Sequence, residues 1–349
     1  MLLKALNRKG NSMTDTSLAK AIDSQTHSVW QQLYRSQPFW VTIAAIGLCV
    51  VLSWAGTDSR GEQVFFTAQN FNNVALNFSF IGIIAIGMTA VIITAGIDLS
   101  VGSVMGLSGI ATGLTLSSGY GVEAGIAAGL LTALACGFVN GFLISYVGLS
   151  PFVVTLGMLS ICRSLALVVS NNKMFYEFGP DEDLFVSIGG GSYFGIANSL
   201  VLMLILTIFL GFMLNFTAWG RHLYAIGSNE NAATMTGVPV KAVKMSAYLF
   251  CSLTAGMSAI MIVGWMGSVT NALGMIYELR VIASAVIGGA DLMGGVGSAY
   301  GALIGSFLVE LIRNGLLMAG VDPYWQGTFV GLFIIFAVAL EKIRSQRSR

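Results

Sequence analysis

The stretch QVFFTAQNFNNVALNFSFIGIIAIGMTAVIITAGI, residues 63–97, contains no charged side chain and decides the fold class. A helix that crosses a bilayer needs about 20 predominantly apolar residues. The same absence of charge recurs along the chain, in residues 36–57, 99–122, 124–162, 184–220 and 245–277. Several of these stretches are too long for one helix, so the chain must turn back on itself within them.

The whole composition agrees with a membrane protein. Of the 349 residues 55% are hydrophobic and 9% are charged, against roughly 25% charged in an ordinary soluble domain, and the mean hydropathy is +0.80. We therefore expect an all-α, polytopic membrane protein with about ten transmembrane helices. The predicted spans are residues 38–56, 72–95, 100–118, 123–146, 151–170, 196–218, 246–268, 274–290, 298–318 and 324–340.

The basic residues predict the orientation. Twelve of the 17 lysines and arginines lie in the N-terminal tail, in the loop 219–244 and in the C-terminal tail. By the positive-inside rule these three segments share the cytoplasmic side, and the span count is even. The predicted domains are a cytoplasmic tail 1–37, a transmembrane domain 38–341 containing the loop 219–244, and a cytoplasmic tail 342–349.

The sequence lacks the motifs that several kinds of catalysis and nucleotide binding need. The sequence has no G-x-x-x-x-G-K-[ST] loop for ATP, no nucleophile elbow and no H-E-x-x-H pair. Its four cysteines stand singly in apolar runs, and its two histidines lie outside the predicted spans. We expect a non-enzymatic protein with no metal site and no disulfide.

The loop between the sixth and seventh spans carries the most information. It reads GRHLYAIGSNENAATMTGVPV, residues 220–240, and Ser228 or Asn229 could cap a short helix that Gly237 and Pro239 would end. Such a helix suits either contact with a soluble motor domain or simple anchoring at the membrane surface. The spacing alone leaves both open.

This loop resembles the cytoplasmic coupling loop of permeases in the ribose/xylose/arabinose/galactose-type family of ABC importers. Three further segments are similar to that family, namely GIDLSVGS at 96–103, PFVVTLG at 151–157 followed by Arg163, and IGGADLMGGVGS at 287–298. Family members often carry glutamine or an acidic residue where this chain has Arg280. The resemblance implies coupling to the ATPase through Gly220, Arg221, Ala225, Gly227, Asn229, Glu230, Ala232, Ala233, Thr236 and Gly237.

The resemblance also implies partners and a place in the cell. They are a cytoplasmic ATPase that binds ATP and Mg, an extracytoplasmic sugar-binding protein, a second permease subunit in a homodimer, and membrane lipid, with no nucleic acid. The implied fold is that of the vitamin B12-type permeases, in the bacterial inner membrane with both termini cytoplasmic. The implied function is translocation of a monosaccharide or related small polyhydroxy compound into the cytoplasm.

Polar residues within the spans give candidate sites. The pattern G-x-D-L occurs twice, at Asp98 (followed by Ser100) and at Asp291; either aspartate could cap a helix or form a cytoplasmic gate. The candidate substrate-pathway residues are Asn73, Asn77, Thr155, Arg163, Glu278 and Arg280.

Some of these polar residues have a second interpretation. Asn70, Asn73 and Asn77 share one helix face and could bind sugar hydroxyls or join helices. Glu310 and Arg313 are spaced to pair on one helix, although a water-filled entrance is the alternative.

Glycine ridges spaced by four residues, such as 121/125/129 and 297/301/305, predict close helix packing within the chain or against a partner.

Two other functional classes compete with the importer. A secondary transporter driven by an ion gradient would need coupling carboxylates, for which Glu278 and Glu310 are the candidates, and a membrane enzyme would need a nucleophile beside a base.

Overall fold

The computed structural model describes residues 36–56 and 62–322, together with residues 34, 325, 327–329 and 331–332. The predicted C-terminal tail, nearly all of the N-terminal tail and most of the predicted span 324–340 lie outside the described residues. The elements are α1 Gln37–Ala55, α2 Ala68–Ile93, α3 Val101–Ser117, α4 Val122–Phe142 with a π-helical extension Leu143–Val147, α5 Pro151–Val169, α6 Glu182–Gly190, β1 Ser192–Tyr193, β2 Ile196–Ala197, α7 Asn198–Phe216, α8 Ala218–Ser228, α9 Glu230–Met235, α10 Val240–Met266, α11 Tyr277–Ile287 and α12 Ala299–Met318.

Among the described residues, seven helices are long and apolar enough to cross a membrane, which confirms a helical, polytopic membrane protein. They match seven of the predicted spans, with the largest boundary shift at α10, which begins at Val240. The spanning segments are Gln37–Trp54, Ala68–Ile93, Val122–Val147, Pro151–Val169, Asn198–Phe216, Val240–Met266 and Ala299–Met318.

Helix α2 lies at the centre of the bundle, since every residue from Phe78 to Ile93 is buried. It packs against α10, α12, α11 and α7. At Gly87 the helix approaches α10 so closely that a Cβ would meet Thr254 and the backbone of Cys251. Small residues at such crossings let apolar helices gain van der Waals contact.

The glycine ridges serve contacts within the chain. Gly125 and Gly129 of α4 pack against Leu116 and Thr112 of α3. Gly301 and Gly305 of α12 pack against the backbone that ends α11. The intramolecular interpretation of these ridges is therefore supported.

The predicted span 274–290 differs most from the structure. Its helical part, α11, has 11 residues and is about 16 Å long, which is too short to cross the hydrocarbon core of about 30 Å. The chain before it runs non-helically beside α3, with Val269 against Gly113 and Gly274 against Gly102. Residues 268–276 therefore descend roughly 16 Å along α3.

The non-helical segment 268–276 is held by the protein. Val269 exchanges two backbone hydrogen bonds with Phe175, of 2.8 and 3.1 Å. The Nη1 atom of Arg163 donates to the carbonyl oxygens of Asn271 (2.9 Å) and Leu273 (2.8 Å). Irregular backbone at membrane depth requires such internal partners.

Candidate coupling surface and polar cavity

Helices α8 and α9 form a surface at one end of the bundle. The short helix that the sequence of the loop 219–244 predicts is α9. The hydroxyl of Thr217 accepts the Gly220 N–H at the start of α8. Asn229 Oδ1 accepts the Ala232 N–H at 3.0 Å at the start of α9, which confirms Asn229 as the cap. Gly237, with φ at +81°, ends α9. A side chain at that left-handed position is strained, which accounts for glycine there.

The inner face of this surface packs on the bundle and its outer face is open. Leu223, Ile226 and Ala233 are buried, whereas Met235 is 89% exposed. Glu230 forms an ion pair with Lys244 of α10, at 3.0 Å. Of the other residues predicted to couple to the ATPase, Gly220 is buried and Ala225 and Gly227 are half-buried. The exposed ones are Arg221, Asn229, Ala232, Thr236 and Gly237.

Helix α8 touches the end of α2, just before the first G-x-D-L turn, and it also touches the second G-x-D-L turn. Gly227 lies against the carbonyl oxygen of Ile93, just before the first turn, and against Gly295 of the second turn. The Gly295 N–H donates to the Ile93 carbonyl at 2.9 Å. The hydroxyl of Tyr224 donates to Gly297 O at 2.8 Å, and burial raises the pKa of this phenol, so that it stays a donor at neutral pH.

The two G-x-D-L aspartates have different surroundings. Asp98 is fully buried, and its Oδ1 accepts the Ser100 N–H at 2.8 Å and the Ser100 hydroxyl at 2.6 Å. Asp291 is half-buried, and its Oδ1 accepts the Met293 N–H at 2.8 Å. Each aspartate does receive a backbone N–H two residues ahead, as an aspartate in a turn commonly does. The sequence did not predict that Asp98 lies inside the protein.

At the opposite end of α2 a cavity of about 510 Å³ opens between α2, α10 and α12. It is lined mainly by amide side chains, an ion pair and an indole. The lining residues are Val64, Thr67, Gln69, Asn70, Asn73, Asn77, Trp265, Glu310, Arg313, Asn314, Leu317 and Met318. Asn73 and Asn77 both line this cavity, and Asn77 lies a turn deeper along α2.

Two polar pairs hold the wall of this cavity. Asn70 and Asn314 exchange amide hydrogen bonds of 3.3 and 2.7 Å between α2 and α12. Glu310 is 1% exposed and pairs with Arg313 at 2.8 Å, so the predicted i, i+3 pairing is confirmed. Glu310 therefore already has a cationic partner in this structure.

The other predicted pathway residues lie elsewhere. Thr155 is buried and its hydroxyl donates to Pro151 O of its own helix. Arg163 binds backbone carbonyls of the segment 268–276. Glu278 lies beside Gly102, and the Arg280 guanidinium lies over the Tyr277 ring. None of these four residues lines the cavity between α2, α10 and α12.

Sequence reasoning missed Trp265 and Asn314 as cavity residues. Both lie in apolar helices far along the chain from Asn70, and Asn314 is separated from it by 244 positions. The available signal was the presence of an asparagine in an otherwise apolar spanning segment, since polar groups there are costly unless they have partners. In the described part of the chain, no group of three histidine, cysteine or acidic residues is placed to hold a metal ion.

Comparison with known proteins identifies the family. A sequence profile described as "Branched-chain amino acid transport system / permease component" matches residues 70–338. A probable ABC transporter permease protein of Sinorhizobium fredii is 37% identical over 88% of this chain and 91% of its own length. The fructose import permease protein of Rhizobium meliloti is 33% identical over 95% and 93%, and the ribose import permease protein of Escherichia coli K12 is 34% identical over 85% and 92%. The profile match and these relatives together show that the chain belongs to this family of membrane permease components of ABC transporters.

Proposed function

We propose that this chain is the permease subunit of an ABC importer that carries a neutral monosaccharide, or a related small polyhydroxy compound, into the cytoplasm. The observation that supports this proposal most directly is the amide-lined cavity at one end of α2, opposite the α8–α9 surface. A solute site and a motor-docking surface at opposite ends of one central helix are what an ATP-driven importer needs.

The chemistry of the cavity suits an uncharged, hydroxyl-rich solute. Asn73 and Asn77 offer amide groups that both donate and accept hydrogen bonds. Glu310 and Arg313 neutralise each other, so the cavity presents no net charge to attract an anion. The Trp265 ring adds an apolar face, against which the C–H side of a sugar ring can pack. The relatives' names include fructose and ribose import.

The α8–α9 surface is the proposed docking site for the cytoplasmic ATPase. Its contacting residues would be those of the exposed outer face, Arg221, Asn229, Glu230, Ala232 and Thr236. The ATPase would bind the ATP and Mg, and no nucleotide step takes place on this chain. Gly227 and Tyr224 would transmit a movement of this surface to the two turns beneath it.

The complete importer would contain a second copy of this permease, as a homodimer, and an extracytoplasmic sugar-binding protein. We place the chain in the bacterial inner membrane with both termini cytoplasmic, because the basic tails and the basic loop then share one side. The proposed count of ten is reached when three further crossings are added to the seven spanning helices: α3, the segment 268–276 together with α11, and the predicted span 324–340. The proposed fold is of the vitamin B12 permease type. The proposed boundaries remain 1–37, 38–341 and 342–349.

Transport by purified components in proteoliposomes tests this function. The chain is reconstituted alone, and then with the ATPase and the binding protein from its own genetic neighbourhood, and radiolabelled fructose and ribose are supplied. Uptake should need all three components and ATP. Ion-gradient-driven uptake by the chain alone would contradict the proposal and favour a secondary transporter.

Two variants sharpen the assignment of each site. Asn77→Leu should reduce uptake while ATP hydrolysis by the assembled complex persists, because it changes the cavity only. Gly237→Arg on the α8–α9 surface should lose both uptake and ATPase assembly. Equal uptake by Asn77→Leu and wild type would exclude the cavity as the route of the solute.

A further inference from the structure

Asp98 lies in a closed polar cluster between α2 and α3, and this cluster has more hydrogen-bond acceptors than donors. The residue has no exposed surface, and its Oδ2 atom has no hydrogen-bond partner among the described residues. In the same cluster the Asn140 Oδ1 atom of α4 is also buried and has no partner in the described part of the chain. Both side chains bond to the Ser100 hydroxyl. Buried polar atoms normally have partners, so two unpartnered acceptors in one cluster require an explanation.

The orientation of Asn140 follows from Ser100. A hydroxyl group has one hydrogen, and the Ser100 hydroxyl donates it to Asp98 Oδ1 at 2.6 Å. Asn140 must therefore donate its Nδ2–H to the Ser100 oxygen, as the 2.9 Å contact shows. Its Oδ1 is left as an acceptor, and a flipped amide would lose the bond to Ser100.

The described groups that face Asp98 supply no positive charge. The titratable side chains that interact electrostatically with it are Cys136 of α4, Cys162 of α5, and Tyr248 and Cys251 of α10. Arg163 neighbours Cys162, but its guanidinium binds the carbonyl groups of Asn271 and Leu273. Among the described residues Asp98 forms no ion pair.

We infer that Asp98 is a proton-binding site: it is held as a neutral carboxylic acid with its proton on Oδ2. One proton converts this unpartnered acceptor into a donor, in a cluster where Asn140 Oδ1 is an acceptor without a described partner. The alternative, a carboxylate buried without a counter-ion, carries a large desolvation cost, and such a group takes up a proton instead. This inference does not depend on which solute the protein carries.

The position of Asp98 gives this proton a consequence for the cytoplasmic end of the bundle. The turn 94–100 begins beside Ile93, where Gly227 of α8 makes contact. Tyr248 closes the other side, with its hydroxyl 3.4 Å from Ile97 O. Loss of the proton would place a charge in this closed cluster and drive the turn to open towards water beneath α8.

Infrared difference spectroscopy of the purified, detergent-solubilised chain tests the assignment. The spectrum of the wild type minus that of Asp98→Asn should show the carbonyl band of a protonated carboxylic acid at neutral pH. The matched control is Asp291→Asn, which removes the aspartate of the other G-x-D-L turn and should leave this acid band as in the wild type. Wild-type protein labelled with [4-¹³C]aspartate should show the same acid band shifted, which tests the inference even where Asp98→Asn does not fold.

Hydrogen exchange provides the second readout. Exchange of the backbone amides in 94–100 should increase with alkaline pH more in the wild type than in Asp98→Asn at the same pH, because only the wild type can ionise. An infrared spectrum with bands of ionised aspartate only, or a thermal unfolding temperature that rises specifically with sodium ions, would overturn the inference. Equal exchange in the two proteins would equally contradict it.

Discussion

Gly227 of α8 lies directly against the carbonyl oxygen of Ile93, the last residue of α2. No atom beyond Cα would fit there, because a Cβ would overlap both that oxygen and the backbone of Gly295. Three backbone segments therefore meet at one point: the proposed coupling surface, the end of the central helix and the second G-x-D-L turn. Close backbone approach is a role that only glycine fills.

Gly227→Ala should uncouple the ATPase from transport. The added methyl group must push α8 away from Ile93, so movement of the surface would no longer reach α2. Coupling energies between sites of about 1–3 kcal/mol correspond to changes of roughly 5- to 150-fold, and we expect ATP-dependent uptake in proteoliposomes to fall within that range.

Gly47→Ala is the matched control for this change, since a Cβ at Gly47 meets no atom within 4 Å. It should transport like the wild type. Normal uptake by Gly227→Ala would show that α8 transmits movement by another contact.

Asn314→Leu should destabilise the wall of the cavity. The substitution leaves the Asn70 amide without its partner on α12, which costs about 1–3 kcal/mol in the free energy of unfolding. The double variant Asn70→Leu/Asn314→Leu should lose less than the sum of the two single changes, because neither amide is then left alone. Denaturant unfolding in detergent measures all three.

Asn215→Leu serves as the comparison for these asparagines. Its side chain is exposed and donates only to Gly211 O of its own helix, so its loss should stay within about 0.5 kcal/mol. Additive losses at Asn70 and Asn314 would mean that the two amides do not stabilise each other.

The sequence predicted the features that depend on residues close together along the chain, and it missed the features that depend on contacts between distant residues. The spanning helices, the Asn229 cap and the Glu310–Arg313 pair all follow from local composition or from spacing on one helix. The Asn70–Asn314 pair and the descent of 268–276 beside α3 do not, because the contacts that stabilise them are tertiary. The shared G-x-D-L pattern gave Asp98 and Asp291 the same two candidate roles, a helix cap or a gate, yet α4 and α10 bury the first aspartate and not the second.

Glu310→Gln should be more damaging than removal of the whole ion pair. Glu310 is buried and binds Arg313 through both carboxylate oxygens, so neutralising it leaves a guanidinium without its counter-ion. Breaking a buried pair from one side costs about 3–5 kcal/mol. The variant should unfold at a lower temperature, and Glu310→Gln/Arg313→Gln should recover part of the loss.

Thermal unfolding in detergent of the wild type, Glu310→Gln and Glu310→Gln/Arg313→Gln decides whether this pair stabilises the helix or serves the solute. Partial recovery in the double variant is the result expected of a pair that stabilises α12. A double variant that is stable but loses uptake would instead assign the charges to the solute.

Arg163→Met should release the non-helical segment 268–276. One guanidinium nitrogen holds the carbonyl oxygens of Asn271 and Leu273, and methionine keeps the apolar stem while removing the donors. Two carbonyl groups at membrane depth would then lack partners, which the protein can relieve only by moving this segment towards water. Hydrogen exchange by mass spectrometry should show faster exchange in 268–276, with α10 and α12 unchanged.

Lys173→Met is the control for this change. It removes an exposed cation from the loop that pairs with Val269, and it should leave the exchange of the segment 268–276 as in the wild type. Unchanged exchange in Arg163→Met would mean that packing against α3, through Gly102, Gly106 and Gly109, suffices to hold the segment in place.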